Sequence, residues 1–280
     1  MERLSLDERS RLAQKTAMQG RVLTGAVLLC VAGAARADDQ QICADRPGKT
    51  TSPCTAPAGH FQVETAFADY TLQKTPGERD TLLTLGETTI KYGVDARTDI
   101  EIDITPWARG TSRAAGHTQT VSGVGDTNLI VKHEFTSSDA PLQVSAYPFV
   151  KIPTARKPAG NGKVEGGLVI PIQYSIANSP FSITASPELD LLANASGHGH
   201  HAAMVQAVSF GWQATKALNL SAELFRQWDW DPSGTRRQSS FDLAAAYVAR
   251  RDLQFDGGVN LGIDRTAPDV ELYAGIAKQF

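Results

Sequence analysis

A period of two dominates this chain. From Gly59 onward, segment after segment alternates apolar and polar side chains, and helical spacing is nowhere sustained. Phe181, Ile183, Ala185, Pro187, Leu189 and Leu191 share one face, with Ser182, Thr184, Ser186, Glu188 and Asp190 on the other. Leu253, Phe255, Gly257, Val259, Leu261 and Ile263 repeat the pattern opposite Gln254, Asp256, Gly258, Asn260 and Gly262. Ile100, Ile102 and Ile104 face away from Asp99, Glu101 and Asp103. Each segment reads as a strand with one apolar and one wet face.

Twelve such segments lie near 60–72, 82–93, 97–108, 126–136, 141–153, 165–176, 180–192, 203–213, 216–227, 238–250, 251–263 and 269–280, those at 82–93 and 203–213 being the least regular. Short turns around Asp95, Ser137, Asn178, Thr215 and Arg250 alternate with longer loops centred near Thr75, Ala115, Ala159, Gly199, Gly234 and Thr266. The most apolar charge-free stretch, Val22 to Ala35, has 14 residues, fewer than the roughly 18 to 20 a membrane-crossing helix needs. A closed barrel crosses lipid without such a run. Soluble sandwiches and lipocalin-like barrels also alternate. Here the strand number is large and even, and Val270, Leu272, Ala274 and Ile276 alternate towards a terminal Phe280, although Lys278 interrupts the apolar row. These features predict an all-β, transmembrane antiparallel barrel of about 12 strands over 59–280 with periplasmic termini, its last strand presented to the barrel-assembly machinery. The setting implied is the outer membrane of a Gram-negative bacterium.

With 27 basic against 30 acidic residues and 41% apolar content, neither disorder nor nucleic-acid binding is indicated. Arg21, an apolar run and Ala35-Arg36-Ala37 read as a secretory signal over 1–37, with Met18 as the expected true start. Its removal leaves 21 basic against 27 acidic residues and takes Cys30 away. Residues 38–58 are expected as a periplasmic segment in which Cys43 and Cys54 form a disulfide in an oxidising compartment. Two thiols cannot complete a zinc site, and a redox pair is more often spaced Cys-x-x-Cys.

If the apolar face meets lipid, the other lines a lumen. Parity places Glu64, Glu87, Asp99, Glu101, Asp103, Glu134, Glu188, Asp190, Glu223, Asp242, Asp256 and Glu271 inside, opposed by Lys91, Lys132 and Lys151. In a water-filled pore that excess of carboxylates favours cations; in a packed interior the same acids only hydrogen-bond to one another. Trp107, Tyr147 and Phe149 also point inward by parity, as a stacking surface for a ring-shaped solute or as a plug.

Gly123-Val124-Gly125-Asp126 lacks the third glycine and the helix of a dinucleotide site, so its glycines are read as a turn into a strand. His198, His200 and His201 form a weak metal candidate in an outward loop. No Gly-x-Ser-x-Gly is present, and alternation puts His133 and Glu134 on opposite faces, so no catalytic site is predicted.

Three segments carry a resemblance: Ile90-Lys91-Tyr92-Gly93-Val94-Asp95-Ala96-Arg97, Gly123-Val124-Gly125-Asp126-Thr127-Asn128-Leu129 and Pro148-Phe149-Val150-Lys151-Ile152-Pro153-Thr154. With the strand repeat they make residues 59–280 resemble the Gram-negative outer-membrane transporter family labelled meta-pathway of phenol degradation proteins. The resemblance implies a barrel admitting small organic solutes, aromatic ones by association; no cofactor is expected. The alternative is a non-conducting barrel whose outer loops bind a ligand or partner.

Overall fold

The computed structural model describes residues 42–155 and 160–280; the expected signal segment 1–37 and the start at Met18 lie outside them. Among the described residues every regular element is a strand. These are β1 (Phe61–Thr75), β2 (Glu78–Asp95), β3 (Thr98–Ile104), β4 (Trp107–Ala114), β5 (His117–Gly123), β6 (Thr127–Glu134), β7 (Leu142–Ile152) and β8 (Glu165–Val169). They continue as β9 (Ile172–Ser175), β10 (Phe181–Ala193), β11 (His200–Gln213), β12 (Leu218–Asp229), β13 (Arg236–Arg250), β14 (Leu253–Gly262) and β15 (Val270–Gln279).

Fifteen strand segments make a closed barrel of twelve staves. Three staves are interrupted: β3 and β4 pair successively with β2, β8 and β9 both bridge β7 to β10, and β5 precedes β6 along the chain. The breaks at Thr105-Pro106 and Ile170-Pro171 fall where proline offers no N–H to the ladder. The Gly-Val-Gly-Asp motif makes the third break, where Gly125 donates to the Thr105 carbonyl. Closure comes from β1, which pairs antiparallel with both β15 and β2. Closure pairs the first and last strands to each other, so neither offers a free edge to lipid, where an unsatisfied backbone group is costly; β5 pairs only with β4.

The twelve expected segments correspond to the twelve staves, but two expected loops are not loops. Strands β1 and β2 run on to a tight turn at Pro76-Gly77, and β4 and β5 to one at Ala115-Gly116. Both Ala115 (φ 48°) and Gly116 (φ 80°) are left-handed, the backbone of a two-residue hairpin whose twist matches its strands. Polar side chains on both faces of these extensions hid the alternation. The short turns, such as Ala96-Arg97 and Arg251-Asp252, gather at the opposite rim, where the carboxyl end of β15 also lies: Gln279 N–H donates to Asp252.

Burial is inverted relative to a water-soluble protein. Lys91, Lys132, Gln62, Asp99 and Asp242 are fully buried, whereas Leu189 (60% exposed), Leu224 (58%) and Leu191 (57%) stand on the outer wall. Ile183 and Leu261 are outward as well. Such a surface is stable only in hydrocarbon.

Nitroxide labels at Leu189 and Leu261 in reconstituted protein are expected to be relaxed by dissolved oxygen in preference to a water-soluble nickel complex, with the reverse preference at the lumenal Gln227. Equal behaviour at all three would mean that the two faces are wrongly assigned.

Candidate functional site

Residues 42–58 do not hang outside the barrel as expected of a periplasmic segment; they are threaded through its interior. Ile42 N–H donates to the Arg251 carbonyl at the short-turn rim (2.7 Å), and the chain then turns inward and returns to the same rim, where Gly59 N–H donates to Gly93 (2.8 Å). Cys43 and Cys54 are joined by a disulfide across the two legs of this loop. The physical reason for the position is charge: the segment supplies cations and backbone N–H groups to a lumen walled with carboxylates.

The contacts run around nearly the whole ring. Asp45 receives Lys91 Nζ (2.5 Å) and Lys132 Nζ (2.6 Å), and Lys91 also reaches Glu64 (2.7 Å). Glu64 accepts from the N–H groups of Asp45 and Arg46 (3.1 and 3.2 Å). Arg46 pairs with Asp256 (2.9 Å), and Lys49 Nζ donates to Ser240 (3.0 Å) near Asp242 and Glu271. Glu223 accepts from Lys49 N–H (2.8 Å) and the Thr50 hydroxyl (2.5 Å). Thr51 meets Ser186 and the Tyr147 hydroxyl, Thr55 donates to Glu134 and Ala56 N–H to Asp99 (2.7 Å).

All twelve lumenal carboxylates expected from parity lie inside, buried or lining a cavity, but they do not form one open acidic channel. Asp99, Glu134, Glu223 and Asp256 hold the lumenal segment, and Glu101 lies 3.9 Å from Lys91. Asp103, which accepts from Thr89 (2.7 Å), faces a cavity above the segment together with Glu188 and Asp190. Lys132 lies over the Tyr147 ring at 5.9 Å. Lys151 sits at the outer mouth, bonded to Asp126 (3.0 Å) and Glu165 (2.8 Å), while Asp126 also accepts from Ala155 N–H. Tyr147 and Phe149 point inward and pack with Ile130 and Val169. Trp107 does not: it is paired opposite the outward Leu85, because the chain is irregular at Gly86 and Pro106 and the alternation changes phase there. Directly opposed residues share a face.

The segment divides the lumen. On the outer side is a cavity of about 230 Å³ whose wall includes Tyr147, Phe149, Phe225 and Tyr273. On the short-turn side is one of about 520 Å³, lined largely by Ser, Thr, Gln and Asn side chains. Sequence reasoning missed Asp69, which turns inward after a bulge at Phe67, and the basic pair Arg46 and Lys49, which no periodicity marks.

The three histidines are not one site. His198 is exposed, and His200 bonds the Val164 carbonyl from the exposed side. His201 is buried between Asn194 (2.9 Å) and Asp229 (2.8 Å). Among the described residues no group of three His, Cys, Asp or Glu is placed to hold a metal ion. His201 instead ties two outer loops, and Asp231 completes the tie. Burial pushes the Asp231 carboxyl up, but bonds from the Ser233 hydroxyl and N–H and from Ala195 N–H, with the charge of His201, outweigh it and hold the carboxyl at about 2. His133 and Glu134 lie on opposite faces, the first exposed and bonded to Thr98, the second buried.

Twelve antiparallel staves, an apolar exterior and a polar lumen crossed by the chain's own amino-terminal segment define an outer-membrane β-barrel of the Gram-negative type. The chain belongs to the family described as "Putative MetA-pathway of phenol degradation", which matches residues 44–280 and so includes most of the lumenal segment. An outer membrane channel from Pseudomonas putida F1 has the same fold, with a TM-score of 0.67 at 12% identity over 84% of this chain and 99% of that one. The β domain of a Bordetella autotransporter (0.52, 12%, 80% of this chain and 100% of that one) and the translocator domain of a Neisseria meningitidis autotransporter (0.50, 10%, 80% and 89%) are also similar in fold. No curated protein matches the chain in sequence.

Two outcomes test this site. Lys91→Met leaves Asp45, Glu64 and Glu101 facing one another, and is expected to cost about 3–5 kcal/mol, read as a lower urea midpoint for loss of heat-modifiable gel migration. Asp231 has a depressed carboxyl, so its contribution is complete above the ordinary Asp value near 3.9 and is lost as pH falls through about 2. Amide protection of Ala195 and Ser233 should therefore survive at pH 4 and fall away towards pH 2, and should already be lost at neutral pH in Asp231→Ala.

Proposed function

We propose that this protein is an outer-membrane channel through which small organic solutes, aromatic ones among them, cross by passive diffusion between the lumenal segment and the wall. The observation that carries the reading is the pair of cavities on the two sides of the segment, the outer one combining aromatic rings with polar groups. A binding or passage site of this kind needs an apolar surface for the body of a solute and a few polar groups to orient it. The Pseudomonas putida relative is itself described as an outer membrane channel, which supports the reading. We assign no chemical step. Solute and outer-membrane lipid are the partners, with the assembly machinery needed only during biogenesis.

The segment makes the pore narrow and the acids make it cation-preferring. In planar bilayers the protein is expected to show a small conductance with potassium more permeant than chloride. Deletion of residues 42–58 should raise that conductance several-fold, and Tyr147→Ala with Phe149→Ala should raise it less. In liposomes the protein should accelerate swelling with small solutes and fail with large ones. A barrel that accelerates none of them is instead the non-conducting form, whose outer loops bind a partner.

A further inference from the structure

We propose that the outer cavity is a binding site for a small organic cation with an aromatic body, its ammonium held by Asp190 and its ring against Phe149; this rests on the channel reading and names a solute class for it. The central observation is a pair of acids with one unmet acceptor. Asp190 is 7% exposed and lines the cavity beside Glu188, with which it shares a side-chain hydrogen bond, while its Oδ1 takes none. Across the cavity Asn260, 3% exposed, has an Oδ1 that is likewise unbonded. Buried oxygens of this kind cost free energy until a donor reaches them.

The protein's own cations do not meet that demand. Arg46 is committed to Asp256, and Lys49 to Ser240, Asp242 and Glu271 on the cavity floor. What the wall places beside the Asp190 oxygen is an aromatic edge. A Cβ at Gly167, the residue paired with Asp190, would lie 2.2 Å from Asp190 Oδ1 and 2.8 Å from Phe149 Cε1. Carboxylate and ring therefore share the space that the missing side chain leaves, and glycine is required there for close approach.

A neutral hydrocarbon would leave both oxygens dry and unpaired, and an anion would be repelled by Asp69, Asp103 and Glu271. A metal ion would need several ligands at one point, which the described residues do not provide. A primary ammonium carries three donors in a compact charge, and an attached ring adds stacking and cation–π contacts.

The test is calorimetry on the detergent-solubilised protein at pH 7 with 2-phenylethylammonium, 2-phenylethanol and phenylacetate, followed by swelling assays with the same protein. The ammonium is expected to bind saturably and at least about tenfold more tightly than the alcohol, with no binding of the acid. Asp190→Asn, nearly isosteric, should weaken the ammonium about tenfold and leave the alcohol unchanged. Phe149→Leu should weaken both, and supplies the test should Asp190→Asn fail to fold. Equal binding of ammonium and alcohol, or unchanged ammonium binding in a folded Asp190→Asn or Phe149→Leu protein, overturns the proposal. Since calorimetry needs no conduction, a protein that drives swelling but binds no ammonium refutes this site alone. One that binds ammonium but drives no swelling refutes the channel reading alone.

Discussion

Lys91 and Lys132 are fully buried inside a barrel whose exterior is hydrocarbon-facing, and both end on the carboxylate of Asp45, a residue of the segment that crosses the lumen. An ion taken out of water is tolerated only when paired and hydrogen-bonded. The wall acids and lysines and the segment are therefore a single structure: without the segment, Glu64, Glu223 and Asp256 lose donors, and without the acids Arg46 loses its partner. The disulfide between Cys43 and Cys54 closes the loop that carries these contacts, limiting the conformations the segment samples when it is not docked.

The same network divides the interior by role. Acids on the short-turn side and at mid-height face the segment, while Asp103, Glu188 and Asp190 face the outer cavity. A uniform acidic pore would act on a solute only through its field. In the proposed channel the divided lumen places an aromatic and acidic chamber in front of the segment, so charge and ring contacts would act on a solute before it meets the narrowest part.

Breaks in the strand repeat shape this chamber. Pro106 and Pro171 interrupt two staves and the Gly-Val-Gly-Asp motif a third, and Asp126 of that motif anchors Lys151 and Ala155 at the mouth. Outward of these points the chain continues as long hairpins and loops, tied together by His201, Asp229 and Asp231. Of the residues that looked like a metal motif, His201 serves as a fastener, since alternation sends His200 and His201 to opposite sides of one strand.

The alternation by itself determined the barrel, its twelve staves and the inward direction of the wall carboxylates, because a strand offers only two faces and lipid accepts only one kind. It failed at Trp107 and Asp69, where a bulge or proline shifts the phase by one residue, and at the hairpins of Pro76 and Ala115, where both faces are polar. Tertiary structure alone decided where residues 42–58 go. Their sequence carries no period, and their place follows from charges on strands far apart in the chain that meet only after the barrel has closed around them.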